Sequence, residues 1–145
     1  MKTYTLCPRC SAVNGVDLKH PGQPRCGVCQ APLTAYQDGI SALNGAQVAT
    51  LASHSPLPLA VDGWAPWCAP CRAFAPVFQQ ASRDLSGRVA FAKLDTEADP
   101  LAGERFGIQA IPTLLLFRGG RELARISGAL PLEAYRRWLE EGLRA

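Results

Sequence analysis

From Leu33 onward, apolar positions fall into short runs that alternate with helical repeats. Leu33 to Ile40 predicts a first strand, and Asn44 predicts the N-cap of a helix carrying Val48 and Leu51 on one face. Leu59-Ala-Val-Asp-Gly-Trp64 reads as a buried strand, opened by Pro58 where a missing N–H does least harm. Residues 70–86 place Phe74, Val77, Phe78, Ala81 and Leu85 at helical spacing, with a kink expected at Pro76. Val89 to Leu94 predicts another strand, and Asp99 the cap of a short helix beginning at Pro100. Thr113 to Phe117 is a further apolar strand. Gly119-Gly120 suits a tight hairpin into Arg121–Ser127, because such turns need positive φ. A last helix opens at Pro131 and buries Leu132, Tyr135, Trp138, Leu139 and Leu143.

The order βαβαβαββα implies an α/β domain with a mixed, mainly parallel central sheet, flanked by helices and ending in a hairpin. Residues 1–32 differ. They are rich in Pro, Gly and Cys and hold no sustained period of 3.6 or 2. Two units are therefore expected, 1–32 and 33–145. In parallel α/β sheets, sites form beyond the carboxyl ends of strands, which is where Cys68 falls.

Composition narrows the function classes. The apolar share is sufficient for a core, and no stretch is long and apolar enough to span a membrane. Met1 to Cys7 contains no hydrophobic region of a secretory signal, so a cytoplasmic location is expected. The formal charge of +3 is too small and scattered to argue for nucleic acid or an anionic surface. Residues 1–32 also lack the aromatic–basic interleaving of a nucleic-acid module.

The six cysteines carry more information, since all sit in C-x-x-C pairs: Cys7/Cys10, Cys26/Cys29 and Cys68/Cys71. A reducing cytosol disfavours structural disulfides, leaving metal binding and redox catalysis. At the start of a helix, i, i+3 spacing puts Cys68 and Cys71 on one face, close enough to bridge. Cys68 then occupies the helix N-terminus, where unpaired N–H groups and the dipole favour a thiolate. Cys71 lies one turn inside. Cys68 should attack a substrate disulfide and Cys71 should resolve the mixed disulfide, with Pro70 presetting a helical φ. Spacing alone equally allows structural cysteines or half of a metal site.

Cys7-Pro-Arg-Cys10 and Cys26-Gly-Val-Cys29 are 15 residues apart, within the range for a four-cysteine zinc site. Four protein ligands leave no position for water, so one zinc ion there would be structural. About 30 residues bury little core, and metal binding can supply roughly 10–16 kcal/mol of apparent folding energy. Arg9 and Arg25 can offset the thiolate charge. An iron centre or a second redox couple are the competing readings; His20 is a ligand only if a cysteine is excluded.

Two segments resemble a known family. Val61-Asp-Gly-Trp-Ala-Pro-Trp-Cys-Ala-Pro-Cys-Arg72 is similar to the active-site segment of thioredoxins, and Gly107-Ile-Gln-Ala-Ile-Pro-Thr-Leu-Leu-Leu-Phe117 to their Ile-Pro-Thr segment. The likeness runs in matching order from about residue 33 to the end. The N-terminal pairs resemble the zinc-binding branch of bacterial thioredoxins. The resemblance implies a thioredoxin fold with a small zinc-ribbon-like module, and a monomeric protein-disulfide reductase with no bound organic cofactor. It implies recharging by an NADPH-dependent flavoprotein thioredoxin reductase and varied protein disulfides as substrates. A thiol pKa lowered at the attacking cysteine is a property carried over from the family.

The resemblance also assigns roles. Asp62 matches a buried carboxylate, whose apolar setting should raise its pKa and make it a base for Cys71 through water. Lys93 matches the lysine near it. Pro112 matches a cis-proline that exposes the backbone of the preceding residue to substrate. Trp67, Ala69, Pro70, Ile111, Pro112 and Gly128, with Ala110 and Ala129, should form a small apolar docking surface. Two positions depart from the pattern: Gly63 stands where a bulky apolar residue is usual, and Ala69 where glycine is commoner. The rival readings are a disulfide oxidase or isomerase on the same fold, or a protein-docking adaptor built on the zinc module.

Overall fold

A computed structural model describes residues 1–145. The chain opens with an antiparallel hairpin, β1 (Lys2–Leu6) and β2 (Val13–Asp17). Neither strand is legible in the sequence. β1 does alternate, but its inward positions carry Thr3 and Thr5, both buried, so the two-residue period is absent from the hydrophobic pattern.

The expected first strand is two strands. β3 (Tyr36–Gln37) turns back into β4 (Ile40–Leu43) through Asp38 and Gly39, both at positive φ. Asp-Gly is a hairpin turn signal, and a strand drawn straight from Leu33 to Ile40 runs over it. Asn44 caps α1 (Gly45–His54) as expected. Its Oδ1 accepts from Gln47 N at 2.9 Å, and Gln47 Oε1 accepts from Asn44 N at 2.8 Å.

The remaining elements are β5 (Leu59–Trp64), α2 (Ala69–Asp84), β6 (Ala90–Asp95), α3 (Pro100–Phe106), β7 (Thr113–Arg118), β8 (Arg121–Ser127) and α4 (Leu132–Leu143). Asp99 precedes α3 but does not cap it. Its Oδ2 accepts from Gly45 N at 2.8 Å, so it caps α1 across space. Gly119 and Gly120 take positive φ at the hairpin, as their sequence requires.

The six-stranded sheet has the order β3-β4-β6-β5-β7-β8 and is mixed. Its parallel part is confined to β4, β6 and β5; β7 runs antiparallel to β5, and β8 to β7. Alternation along β5 sends Leu59 and Val61 to one face, where α1 and α3 pack with Leu51, Leu94 and Phe117. Ala60 points to the other face, toward Phe74 and Phe78 of α2 and Tyr135 and Leu139 of α4. Asp62 shares the parity of Ala60 and therefore this second face.

The N-terminal hairpin is joined to the sheet. Leu6 is buried in the core of the α1/α3 face, and Thr5 Oγ1 and Ser41 Oγ are hydrogen-bonded at 2.7 Å. Leu33 packs with Cys7, Val16 and Cys26, and Tyr36 rests against them.

Candidate functional site

β5 ends at Trp64, and four residues later Cys68 stands at the N-cap of α2. Its Sγ accepts from Cys71 N at 3.2 Å, so the sulfur takes the place of a capping oxygen on one of the helix's unpaired donors. Pro70 lies within the first turn, where its lost N–H breaks no bond. Cys68 and Cys71 form a disulfide, with Cα atoms 5.2 Å apart. Both are buried, Cys68 at 4% exposure and Cys71 at 1%, so the first cysteine is the one solvent reaches.

Around the disulfide, Ala65 closes the floor while Trp64 and Ile111 lean against it. The Ile111–Pro112 peptide is cis, and the Ile111 carbonyl oxygen lies 3.8 Å from Cys68 Sγ. Gly128, at φ 110°, donates its N–H to Pro112 O at 2.8 Å, which ties the 128 loop to the 111 loop. Trp67 is 66% exposed, and Ala69, Pro70, Ala110 and Ala129 are exposed beside it. The sequence-predicted surface residues are thus brought to one end of the sheet, except that Pro112 is buried beneath them rather than on the surface, because it leads directly into the buried start of β7.

Asp62 lies opposite Lys93 in the β5–β6 register and is fully buried, with no partner for either carboxylate oxygen. Burial pushes its pKa up to about 7, and the positive charge of Lys93 opposes that rise only in part. Lys93 does not pair with it. Its Nζ sits 4.2 Å from the centroid of the Trp64 ring, a cation–π contact that binds the lysine to the strand leading into the disulfide.

A raised carboxylate pKa has a stability consequence of definite sign. Well below pH 4, Asp62 is protonated in folded and unfolded chains alike, and it contributes no difference. Between about pH 4 and 7 the unfolded chain releases its proton while the folded one retains it, so stability falls as pH rises. Above about pH 7 the penalty is complete. Asp62→Asn should therefore stabilise the protein at pH 8 by up to about 4 kcal/mol and by less than about 1 kcal/mol at pH 4. Denaturant midpoints at the two pH values check this; a gain independent of pH contradicts it.

Gly63 is explained by its neighbours. A Cβ there would lie 3.1 Å from Ile108 Cδ1 and 3.3 Å from Thr113 O, so Ile108 fills the space a larger side chain would take. Ala69 is exposed, on the first residue of α2.

At the other end of the chain, the sulfurs of Cys7, Cys10, Cys26 and Cys29 lie within 4.8 Å of one another. Two equivalent turns hold them. Cys7 N donates to Ala12 O and Ser11 N to Cys7 O, while Cys26 N donates to Ala31 O and Gln30 N to Cys26 O. Ser11 and Gln30 take positive φ at matching places. Arg9 N and Cys10 N point at Cys7 Sγ at 3.4 and 3.5 Å, and Val28 N at Cys26 Sγ at 3.4 Å.

The sulfur spacing fits a tetrahedral ion. A zinc–sulfur bond of about 2.3 Å sets thiolates about 3.8 Å apart. Cys7 to Cys29 and Cys10 to Cys26 each measure 3.6 Å. Sequence reasoning missed Asn14, whose Nδ2 donates to Cys26 Sγ at 3.4 Å and whose Oδ1 accepts from Gly27 N at 2.9 Å. The Cys26 thiol is pulled down to about 6, first by the Cys29 backbone N–H and next by Asn14. Arg25 donates to Gln30 O at 3.0 Å and so braces the second turn. His20 is absent from the sulfur cluster and lines a groove between β2 and α2 instead.

Comparison with known proteins agrees with this geometry. The family model described as Thioredoxin matches residues 41–141. Thioredoxin C-3 of Corynebacterium nephridii is 39% identical over 139 residues, covering 95% of this chain and 94% of its own. That match takes in most of residues 1–32. A thioredoxin of Synechocystis is 43% identical over 89 residues, 61% of this chain and 83% of its own. Thioredoxin M4 of Arabidopsis thaliana, a chloroplast protein, is 34% identical over 116 residues, 79% of this chain and 60% of its own.

Proposed function

Because the chain belongs to the thioredoxin family of thiol–disulfide oxidoreductases, we propose that it works as a protein-disulfide reductase through Cys68 and Cys71. The observation that carries this reading is the disulfide across the first turn of α2, with Cys68 Sγ aligned on the Cys71 amide. That alignment stabilises a Cys68 thiolate in the reduced protein, since a helix N-terminus favours negative charge.

The cycle follows from the geometry. The Cys68 thiolate attacks one sulfur of a substrate disulfide; the substrate S–S bond breaks, and one substrate thiolate leaves and takes a proton. Asp62, poised near neutrality, accepts the Cys71 thiol proton by way of water. The Cys71 thiolate then attacks Cys68 Sγ, the mixed disulfide breaks, and the second substrate thiolate leaves. The product is the Cys68–Cys71 disulfide present in the structure. Two electrons from NADPH, delivered by a flavoprotein thioredoxin reductase, restore the dithiol. Asp62→Ala should slow resolution of the mixed disulfide more than its formation.

Substrate docks on the surface of Trp67, Ala69, Pro70, Ile111 and Gly128, with an extended substrate segment pairing against the Ile111 backbone that the buried Pro112 supports. Lys93 holds Trp64 and tempers the Asp62 pKa. Cys7, Cys10, Cys26 and Cys29 hold one structural zinc ion, within the module we assign to residues 1–32, and the catalytic domain spans residues 33–145. No helix is long and apolar enough to cross a membrane; a cytoplasmic, monomeric protein is our reading.

The test separates reductase from oxidase. With NADPH and thioredoxin reductase, the protein should reduce insulin disulfides with multiple turnovers. Its reduction potential should be about −270 mV, the general reference value for thioredoxins. A potential of about −120 mV, or no coupling to the reductase, overturns the proposal.

A further inference from the structure

Three buried polar oxygens on the α2/α4 side of the sheet have no hydrogen-bond partner: both carboxylate oxygens of Asp62, and the hydroxyl of Tyr135 on α4. Tyr135 is fully buried. Its ring packs edge-on against Phe74 with centroids 5.0 Å apart, stacks on Trp138 at 5.8 Å and meets Phe78 at 6.2 Å. Phe74 is one turn beyond Cys71 on α2. The cross-strand neighbour of Asp62, Leu114, belongs to the same cluster as Tyr135. The phenol and the carboxylate therefore enter one apolar compartment from opposite sides, beneath the redox pair.

A phenylalanine would fill the Tyr135 volume with no polar atom to desolvate. A buried hydroxyl that contacts nothing else polar is explained if its partner is the other orphan in the compartment. We propose that Tyr135 is a positioning residue for Asp62: its O–H donates to one water molecule that in turn donates to the Asp62 carboxylate, and this bridge holds the carboxylate ready for the Cys71 proton. The two groups sense each other in the expected way. Burial first, and then the Asp62 charge, push the Tyr135 pKa well above its usual value, so the phenol remains a donor throughout the cycle.

The groups that face Asp62 are few. β6 contributes Lys93, β7 contributes only the apolar Leu114, and α4 contributes Tyr135 to the cluster that contains Leu114. Lys93 is engaged with Trp64. Tyr135 is then a neutral donor that keeps its proton through the cycle, and removing it should destabilise the charged form of Asp62.

The mechanistic part of this inference rests on Asp62 acting as the base, so the experiment reads the contact and the rate separately. Full-length, metal-loaded protein with ¹³C-labelled carboxyl groups is titrated by NMR as wild type and Tyr135→Phe. The Asp62 midpoint should rise by about one pH unit in the variant, the scale of one hydrogen bond to a charged group. The acid limb of the single-turnover resolving step should move by the same amount. In wild type alone, the Tyr135 ring-carbon resonance next to oxygen should step at the Asp62 midpoint, a readout that needs no variant. An unmoved Asp62 midpoint, or a Tyr135 resonance blind to it, overturns the proposal. A moved midpoint with an unmoved rate limb upholds the contact and overturns Asp62 as the base.

Discussion

Cys68→Ser should abolish NADPH-coupled disulfide reduction, and Cys71→Ser should abolish turnover as fully while leaving one covalent step intact. In the first variant a hydroxyl replaces the thiol at the N-cap. It can still accept from the Cys71 amide, so α2 keeps its cap, but at neutral pH it offers no anion to a disulfide sulfur. The loss should be at least about 10³-fold. In the second variant Cys68 still attacks, yet nothing resolves the product, because the sulfur that Asp62 would activate is gone. One equivalent of substrate should remain covalently attached to Cys68, visible as a reducible adduct by intact mass. Loss of turnover in Cys68→Ser alone would mean that an external thiol performs the second step, and the two-cysteine cycle would be wrong.

The pairing of Cys68 with Cys71 is legible in the chain because several independent signals converge on the β5–α2 junction. A buried apolar strand ends, a C-x-x-C pair begins a helix, and proline occupies the first turn. Capping at Asn44 and the glycine hairpin at residues 119–120 are legible for the same reason: local backbone demands restrict residue type. Elements governed by partners distant in sequence are not. The direction of β7 leaves no trace in its residues, since a strand buried on both faces reads the same whichever way it runs. Asp99 looks like the cap of the helix it precedes, and its use by α1 depends on the packing of α1 against α3.

The candidate sites divide along the same line. The clustered cysteines announce themselves by spacing, whereas Asn14 reaches Cys26 only because β2 folds back on β1. Tyr135 sits at a core position of an amphipathic helix and reads there as an apolar residue. Its hydroxyl acquires meaning only when the sheet places Asp62 on the same face. Ile108 filling the gap at Gly63 is likewise a contact between segments far apart in sequence.

Metal loss should be felt in both units of the chain. Removing the ion with a chelator, or a ligand with Cys26→Ser, should unfold residues 1–32 and also lower the melting temperature of the catalytic domain. Within residues 1–32 the buried cluster consists of Cys7, Val16 and Cys26, to which Leu33 is added from beyond the module, so two of its own three members are proposed ligands and no independent core holds the turns without the ion. β1, however, reaches past its own cluster. Leu6 fills the core beneath α1 beside Leu43 and Val48, and Thr5 bonds Ser41 on β4. Losing β1 removes a whole leucine from that core, which costs about 2–5 kcal/mol, enough to lower the melting temperature by roughly 10 °C in a domain of this size. Leu6→Ala with metal bound should reproduce most of that drop without releasing the ion, which separates the packing contribution from coordination. Metal analysis in reducing buffer should find one zinc per chain. Iron, or no metal, would remove the premise, and a catalytic-domain transition indifferent to chelation would show that β1 merely rests on the core it helps to cover.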